Sequence, residues 1–475
     1  VETPIEKKTE AGKEAKGHDL LPRRLGLISA IAVLVGSTIG TGIFRSPAGI
    51  ATKVPFEGLY LLLWVLGGFF SLCGALTLAE LASALPRTGG VFVYLREGWG
   101  RLPAFLFGWG ELVIIRASAL GAISTAFAEY FLRLLGNENP QTVHYVAAAA
   151  IFVVAVFNIL GVRLSALVQN LTTGAKYGAL LLLVLMAFLI GAKNPSPVTI
   201  QTDHSTASFS VAMFGLAFIS LLWAYDGWAD VTFVSGEVKQ PEKFLPRTLI
   251  GGTLAVIAIY LLANLAYLHL LGINEIANSK LVAADVAYRI IGDDGVRFVS
   301  IAVMISAFGT LNGSMMTGPR IFFAMADDGL FFKKIASVHP RFKTPYLAIS
   351  LAATMAIIFV LLRTFEQLAD TFVLGIWPFY ALSVAAVYTL RRKRPDLPRP
   401  YKTLGYPITP AFFILAVLFL IGNALLNDIR YYSAKFAGGP NPYEWSGALM
   451  VAGIILAGIP VYYIWKAPRS GRNDE

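Results

Sequence analysis

The sequence predicts an all-α integral membrane protein with twelve transmembrane helices, built as a 5+5 inverted repeat of broken-helix type plus two extra C-terminal helices. Three observations carry this reading. The 475 residues are 56% hydrophobic and 14% charged, with a mean hydropathy of +0.65, which leaves too little charge to cover a soluble protein of this size. Apolar stretches of about 20 residues, enough to cross a bilayer at about 1.5 Å per residue, recur along almost the whole chain. Two of them are interrupted by glycine and polar residues, at GSTIGTGIF (Gly36 to Phe44) and at WAYDGW (Trp223 to Trp228). Such a pair, five spans apart, points to a binding site at the membrane midplane.

In chain order the expected spans are 27 to 50, 58 to 84, 103 to 134, 142 to 160, 165 to 191, 208 to 235, 246 to 271, 296 to 325, 345 to 363, 367 to 390, 406 to 427 and 445 to 466. Lipid leaves backbone groups no partner, and the stretches are too long and continuous for barrel strands, so each reads as a helix. Residues 25–191 form the first repeat and 208–390 the second, inverted because an odd number of spans reverses orientation. Residues 406–466 are the two additional spans. Residues 1–24 lack the apolar core of a signal peptide and read as a polar cytoplasmic tail, with 467–475 as a second one.

A net charge of +10 raises nucleic acid as a partner, but the distribution of the charge fits topology instead. With the N-terminus placed in the cytoplasm, twenty-six Lys and Arg fall on the cytoplasmic side and nine on the other. That bias puts both termini in the cytoplasm of a multi-pass protein of the plasma (inner) membrane. Arg45, Arg116, Lys176 and Arg320 are left inside spans, where a charge is costly and is a functional hypothesis by default. Arg320, near a span end, reads as snorkelling to the interface. Arg45 either reaches the outer interface or helps to close the outer pathway. Arg116 pairs with Glu111 or Glu129 or with a neighbouring helix. Lys176, near the middle of the fifth span, is too deep to snorkel and reads as a site-organising or coupling residue. Glu80 fits a gate or a helix-end hydrogen bond; Asp226 and Asp230 either face a hydrated cavity or cap the half-helix after the second break.

At the first break, Gly36, Gly40 and Gly42 let the backbone leave helical geometry, and Ser37, Thr38 and Thr41 can serve the groups set free. The amides that open the second half-helix, at Thr41 and Gly42, form an anion cradle. The carbonyls that end the first half-helix suit a cation. Opposite poles a few ångströms apart match the zwitterion of an amino acid. At the second break Trp223, Tyr225 and Trp228 supply bulk to cover a small ligand. Close helix packing through Gly36 and Gly40 is the competing explanation of the first break, and the companion break counts against it.

These motifs, with AELASALPRTGGVFVYLREGWG, IIRASAL, VQNLTTGAKY, WAYDGWADVTFVSGEVKQPEKFLPRTL, GTLNGSMMTGPRIFFAMADDGLFF, TPYLAI and RPYKTLGYP, resemble the amino acid-polyamine-organocation (APC) superfamily over nearly the whole chain. Within it they are similar to the L-type amino acid transporter group and its bacterial serine/threonine exchanger relatives. The resemblance implies the LeuT-type broken-helix fold and alternating-access transport of neutral L-amino acids, sodium-independent and by exchange. It puts the substrate carboxylate on the amides of Thr41 and Gly42, with Gly40 shaping the turn. The amine falls to carbonyls near Thr38, Trp223 and Ala224. Trp223 is the aromatic gate, where many relatives carry Phe, and Asp226 stands where eukaryotic relatives usually have a small uncharged residue. Side-chain contacts are expected from Ile115, Ala119 and Ile123 in the third span and from Phe372 and Trp377 in the tenth. Lys176 matches the lysine that stands in for Na⁺, bridging a carbonyl near Gly36 and a hydroxyl of the eighth span, taken to be Ser306. A fixed charge on Lys176 suits exchange; a titrating one suits proton symport, the first alternative, with Asp226 as a second carrier. From another class, an amino acid-binding membrane sensor would use the same site.

Cys73 is the single cysteine, so no disulfide forms within the chain. Eukaryotic heteromeric relatives bond a glycoprotein through a cysteine in the loop after the third span. Here that loop, Gly136 to Val143, has none, so no disulfide-linked heavy chain is expected and amino acid substrates and the bilayer are the partners. No zinc-ligand motif, cysteine pair, phosphate loop or hydrolase elbow is present, so the sequence predicts neither an enzyme nor a metal or cofactor site.

Overall fold

The computed structural model describes residues 21–136, 139–195, 210–279, 281–437 and 445–466. Residues 1–20 of the tail expected at 1–24, the tail expected at 467–475 and part of the loop after the third span lie outside these residues.

The interrupted first span is two helices, α1 (Leu27–Thr38) and α2 (Gly42–Lys53). α3 (Glu57–Ala84) follows, then a short α4 (Val91–Trp99) that the span pattern did not foresee. The third span runs through α5 (Arg101–Gly110), a π-helical turn Glu111–Ile115 and α6 (Arg116–Leu134). Next come α7 (Pro140–Leu160) and α8 (Val162–Leu189). The interrupted sixth span is α9 (Val211–Tyr225) and α10 (Asp230–Phe233). α11 (Pro241–Asn278) bends at Gly272, where φ is 69°, so its straight part ends where the seventh span was expected to end. A second unforeseen helix, α12 (Val282–Ile291), precedes α13 (Asp293–Thr317) and α14 (Pro319–Asp327). α15 (Tyr346–Leu362), α16 (Phe365–Lys393), α17 (Ile408–Phe436), α18 (Ala448–Leu456) and α19 (Gly458–Lys466) complete the chain.

Helices thus stand at all twelve expected positions. Among the described residues ten are long and apolar enough to cross a membrane. α9 and α15, with 15 and 17 residues, are apolar but shorter. α9 stops because Asp226 turns extended, with ψ 160°, and Gly227 takes φ +108°, a conformation that favours glycine. α16 begins with a capping box, the Thr364 hydroxyl accepting from the Gln367 amide and the Gln367 side chain accepting from the Thr364 amide, which satisfies two donors that no helical carbonyl reaches.

The core is a packed interior of apolar side chains against which α1, α2, α3, α6, α9, α11, α13 and α16 are set. Towards the outside, α8 and α17 expose Leu171, Leu185, Phe188, Leu415 and Leu418, an apolar surface that only lipid satisfies. Both described chain ends lie on one face, here called the tail face. Arg23 and Arg394 line one groove, Arg394 pairs with Glu97, Arg96 with Asp328, and Trp465 packs on Phe332 close by.

Candidate functional site

The two breaks meet. A Cβ on Gly42 would come within 2.4 Å of the Ala224 Cα, and one on Gly227 within 2.7 Å of the Thr38 nitrogen, so the broken spans touch backbone to backbone. The first-break glycines have a second use beside the break itself. None of Gly36, Gly40 and Gly42 takes a positive φ; they are needed for close approach, Gly36 to Gln169 and Thr173, Gly40 to Thr310 and Gly42 to Ala224.

Around the crossing lies a cavity of about 30 Å³, room for about two waters. Nine of the twelve expected substrate contacts line it: Thr38, Gly40, Thr41, Gly42, Ala119, Ile123, Trp223, Asp226 and Phe372. Three do not. Ala224 is packed on Gly42, and Ile115 lies against Gly110 and Gly375. Trp377 packs in an aromatic cluster with Phe70 and Phe413, at 5.3 and 5.9 Å. The π-helical turn explains Ile115: its extra residue shifts side-chain facing along the third span, which a 3.6-residue pattern does not reveal.

Carbonyls freed at the first break are served from other helices. Lys176, 1% exposed, donates to the Gly36 carbonyl, to Thr310 Oγ1 at 2.9 Å and to the Ser306 carbonyl at 3.4 Å. The hydroxyl that meets the ammonium is therefore that of Thr310, one turn beyond the expected Ser306, whose own hydroxyl donates to the Ile39 carbonyl at 3.1 Å. The expected local helpers act differently: Thr38 Oγ1 donates back to Leu34, while Ser37 Oγ and Thr41 Oγ1 are buried without a hydrogen-bond partner among the described residues. No side chain caps α2, so its first amides remain donors facing the cavity. The Tyr260 hydroxyl, which the sequence reading passed over, lies 2.8 Å from the Thr38 carbonyl and 3.0 Å from that of Ala224, joining the two breaks.

On the tail side the cavity wall is ionic. Arg116 pairs with Glu111 at 2.9 Å and donates to Ser314 at 2.8 Å; Arg116 and Glu111 are 2% and 0% exposed. Thr317 donates to Asp230 at 2.9 Å, and Asp226 presents a buried Oδ1 with no hydrogen-bond partner among the described residues. Neither aspartate caps α10; both line the cavity instead. Deeper, Arg320 pairs with Glu237 at 2.9 Å, the two 1% and 0% exposed, so it does not snorkel as expected. Glu80 accepts from Arg391 at 2.7 Å and from the Thr403 amide at 2.7 Å, tying the segment after α16 to the end of α3.

On the far side Trp223 is shared between the cavity and a vestibule of about 700 Å³. Its ring meets Phe365 and Phe372 edge-on at 6.0 and 5.4 Å. Above it Arg45 pairs with Glu129 and, at 2.6 Å, with Glu366, its guanidinium 4.1 Å from the Phe365 ring centre. Arg45 thus sits in the vestibule wall, held by partners from the third and tenth spans.

The family profile described as amino acid permease matches residues 25–457. The chain belongs to that family. This permease is 32% identical to the serine/threonine exchanger SteT of Bacillus subtilis (strain 168), across 94% of this chain and 97% of that one. It is 31% identical to the Homo sapiens b(0,+)-type amino acid transporter 1, across 88% and 87%, and 32% identical to the Homo sapiens cystine/glutamate transporter, across 96% and 89%. These relatives are transporters rather than enzymes, and amino acid transport across a membrane is what the permease shares with them. The names of these relatives point to different amino acids. Arg116, Asp230, Thr310 and Ser314, none of them among the expected substrate contacts, join the cavity lining. Arg116 and Asp230 carried a sequence signal, a charge inside a span or just after the second break; Thr310 and Ser314 carried none.

Proposed function

We propose that this permease exchanges neutral L-amino acids by alternating access, without sodium. One observation carries the proposal: the oxygens of Gly36, Thr310 and Ser306 converge on the Lys176 ammonium. Carbonyl and hydroxyl oxygens so arranged form the donor set of a hard cation, and a tethered ammonium already fills it. The uncapped amides of α2 suit the substrate carboxylate, and carbonyls at the two breaks suit its amine. Neutral side chains fit best because Ala119, Ile123, Trp223 and Phe372 give the cavity an apolar wall.

The proposal includes twelve spans, the inverted pairing of 25–191 with 208–390, a cytoplasmic tail face in the plasma (inner) membrane, and work without a disulfide-linked heavy chain. The 26-to-9 distribution of basic residues supports the orientation. The unpartnered Oδ1 of Asp226 favours a second reading, proton-coupled symport, with Asp226 or Lys176 carrying the proton.

Purified protein in liposomes separates these readings. Exchange requires that uptake of a labelled neutral amino acid depend on amino acid trapped inside and be indifferent to Na⁺. Uptake into empty liposomes driven by an inward proton gradient overturns exchange in favour of symport. Saturable binding without flux makes the protein a sensor.

A further inference from the structure

We propose that the tail face carries a binding site for the phosphate headgroup of an anionic phospholipid, in the groove between the start of α1 and the turn after α3. The groove encloses about 690 Å³. Arg23, Arg87 and Arg394 reach it from three separate segments of the chain, and all three are exposed. Their carboxylate supply is short. Glu97 is shared by Arg394 at 2.7 Å, Arg96 at 2.9 Å and Arg87 at 3.8 Å, and Arg23 has no ion-pair partner among the described residues. Positive charge is therefore in excess where the chain leaves the membrane.

A second, independent feature points to an acceptor ligand. Thr88 lines the groove, is 3% exposed, and its Oγ1 has no hydrogen-bond partner among the described residues. A buried hydroxyl without a partner is costly, and a phosphate oxygen among the three guanidinium groups would accept from it. A lipid rather than a soluble anion fits the surroundings. Leu21 and Leu85 form part of the groove wall, and Ile28, the second residue of α1, is 77% exposed, so acyl chains would continue along α1.

The bound headgroup would act on the tail-side closure. The amides of Arg24 and Leu25 donate to the Glu237 carbonyl at 2.8 and 2.9 Å, so the start of α1 is already fastened to the chain after the second break. A ligand held by Arg23, Arg87 and Arg394 adds the ends of α3 and α16 to that fastening. The proposal rests on the orientation above only for the leaflet, since the cytoplasmic one carries the anionic lipids. Its test reads binding and is independent of transport.

The full-length protein in detergent is melted with added phosphatidylglycerol or phosphatidylcholine. Phosphatidylglycerol should raise Tm by about 2 °C or more over phosphatidylcholine, and about 0.5 M NaCl should weaken the effect. The variant Arg23→Gln/Arg87→Gln/Arg394→Gln should lose the shift, while Lys333→Gln/Lys334→Gln/Arg341→Gln, elsewhere on the same face, should keep it. Native mass spectrometry should find phosphatidylglycerol retained by the wild type and lost in the single variant Arg23→Gln, a readout that stands if the triple variant folds poorly. An equal shift in both triple variants overturns the site. An equal shift with inorganic phosphate at roughly 10 mM, far above the affinity a specific site needs, overturns the lipid as its ligand.

Discussion

The cavity is closed on its two sides by different chemistry. Towards the far side stand one aromatic layer, Trp223 with Phe365 and Phe372, and the cluster Arg45, Glu129 and Glu366, whose side chains are 22%, 31% and 65% exposed. Towards the tail face stand two ion pairs, Arg116 with Glu111 and Arg320 with Glu237, all 2% exposed or less. A solvated ion cluster is worth little and is screened by salt. A buried pair contributes modestly while intact but is expensive to split, because the partner left behind is an uncompensated charge. Under the alternating access proposed above, small motions of rings and surface charges would open the far closure onto the vestibule already there. The tail closure is built to move only if its pairs travel together. Arg116 and Glu111 sit on one span and can do so; Arg320 and Glu237 join two segments and hold them.

The comparison is broken most severely at Glu237. Glu237→Ala should destabilise the protein by about 3–5 kcal/mol by stranding Arg320, seen as a large fall in Tm and yield, and Glu237→Ala/Arg320→Met should recover at least half of it. Equal loss in single and double variants would show that the pair itself is not what matters. Lys176→Ala belongs to neither closure but to the hinge between α1, α8 and α13. It should lower exchange about 100-fold, roughly 2.7 kcal/mol, in a monodisperse protein; unchanged kinetics would remove Lys176 from the site. Trp223→Ala merges cavity and vestibule and should raise the KM for the exchanged amino acid about tenfold, with leakage from loaded liposomes that the wild type does not show. Arg45→Ala should be mildest, under about 1 kcal/mol. Its informative readout is salt: exchange by the wild type should vary with ionic strength, and exchange by the variant much less.

Hydropathy and the two interrupted motifs made most of the fold readable, because lipid penalises every unpaired backbone group and so ties apolar length to helices. The unforeseen α4 and α12, of 9 and 10 residues, are too short for a pattern of span-length apolar stretches to register. Within the site, Thr38, Gly40, Thr41 and Gly42 were readable because they lie on one short stretch whose geometry is local, and Trp223 and Asp226 because they lie at the second break. Side chains delivered from other helices were harder. Thr310 instead of Ser306, and Tyr260 across both breaks, depend on the rotation of α13 and α11, which no local pattern encodes. Ile115 and Trp377 were misplaced for the same reason, the first by a π-helical turn and the second by aromatic stacking.

The sequence by itself determined where the chain becomes apolar, where it breaks, which charges fall inside apolar spans and which segments gather basic residues, since each follows from composition along a line. Only the tertiary structure decided the partners. Whether Arg320 reaches water or Glu237, whether Asp226 caps a helix or faces a cavity, and which hydroxyl meets Lys176 are set by helices far apart in sequence. A buried charge specifies that it must be answered; the packing of helices supplies the group that answers it.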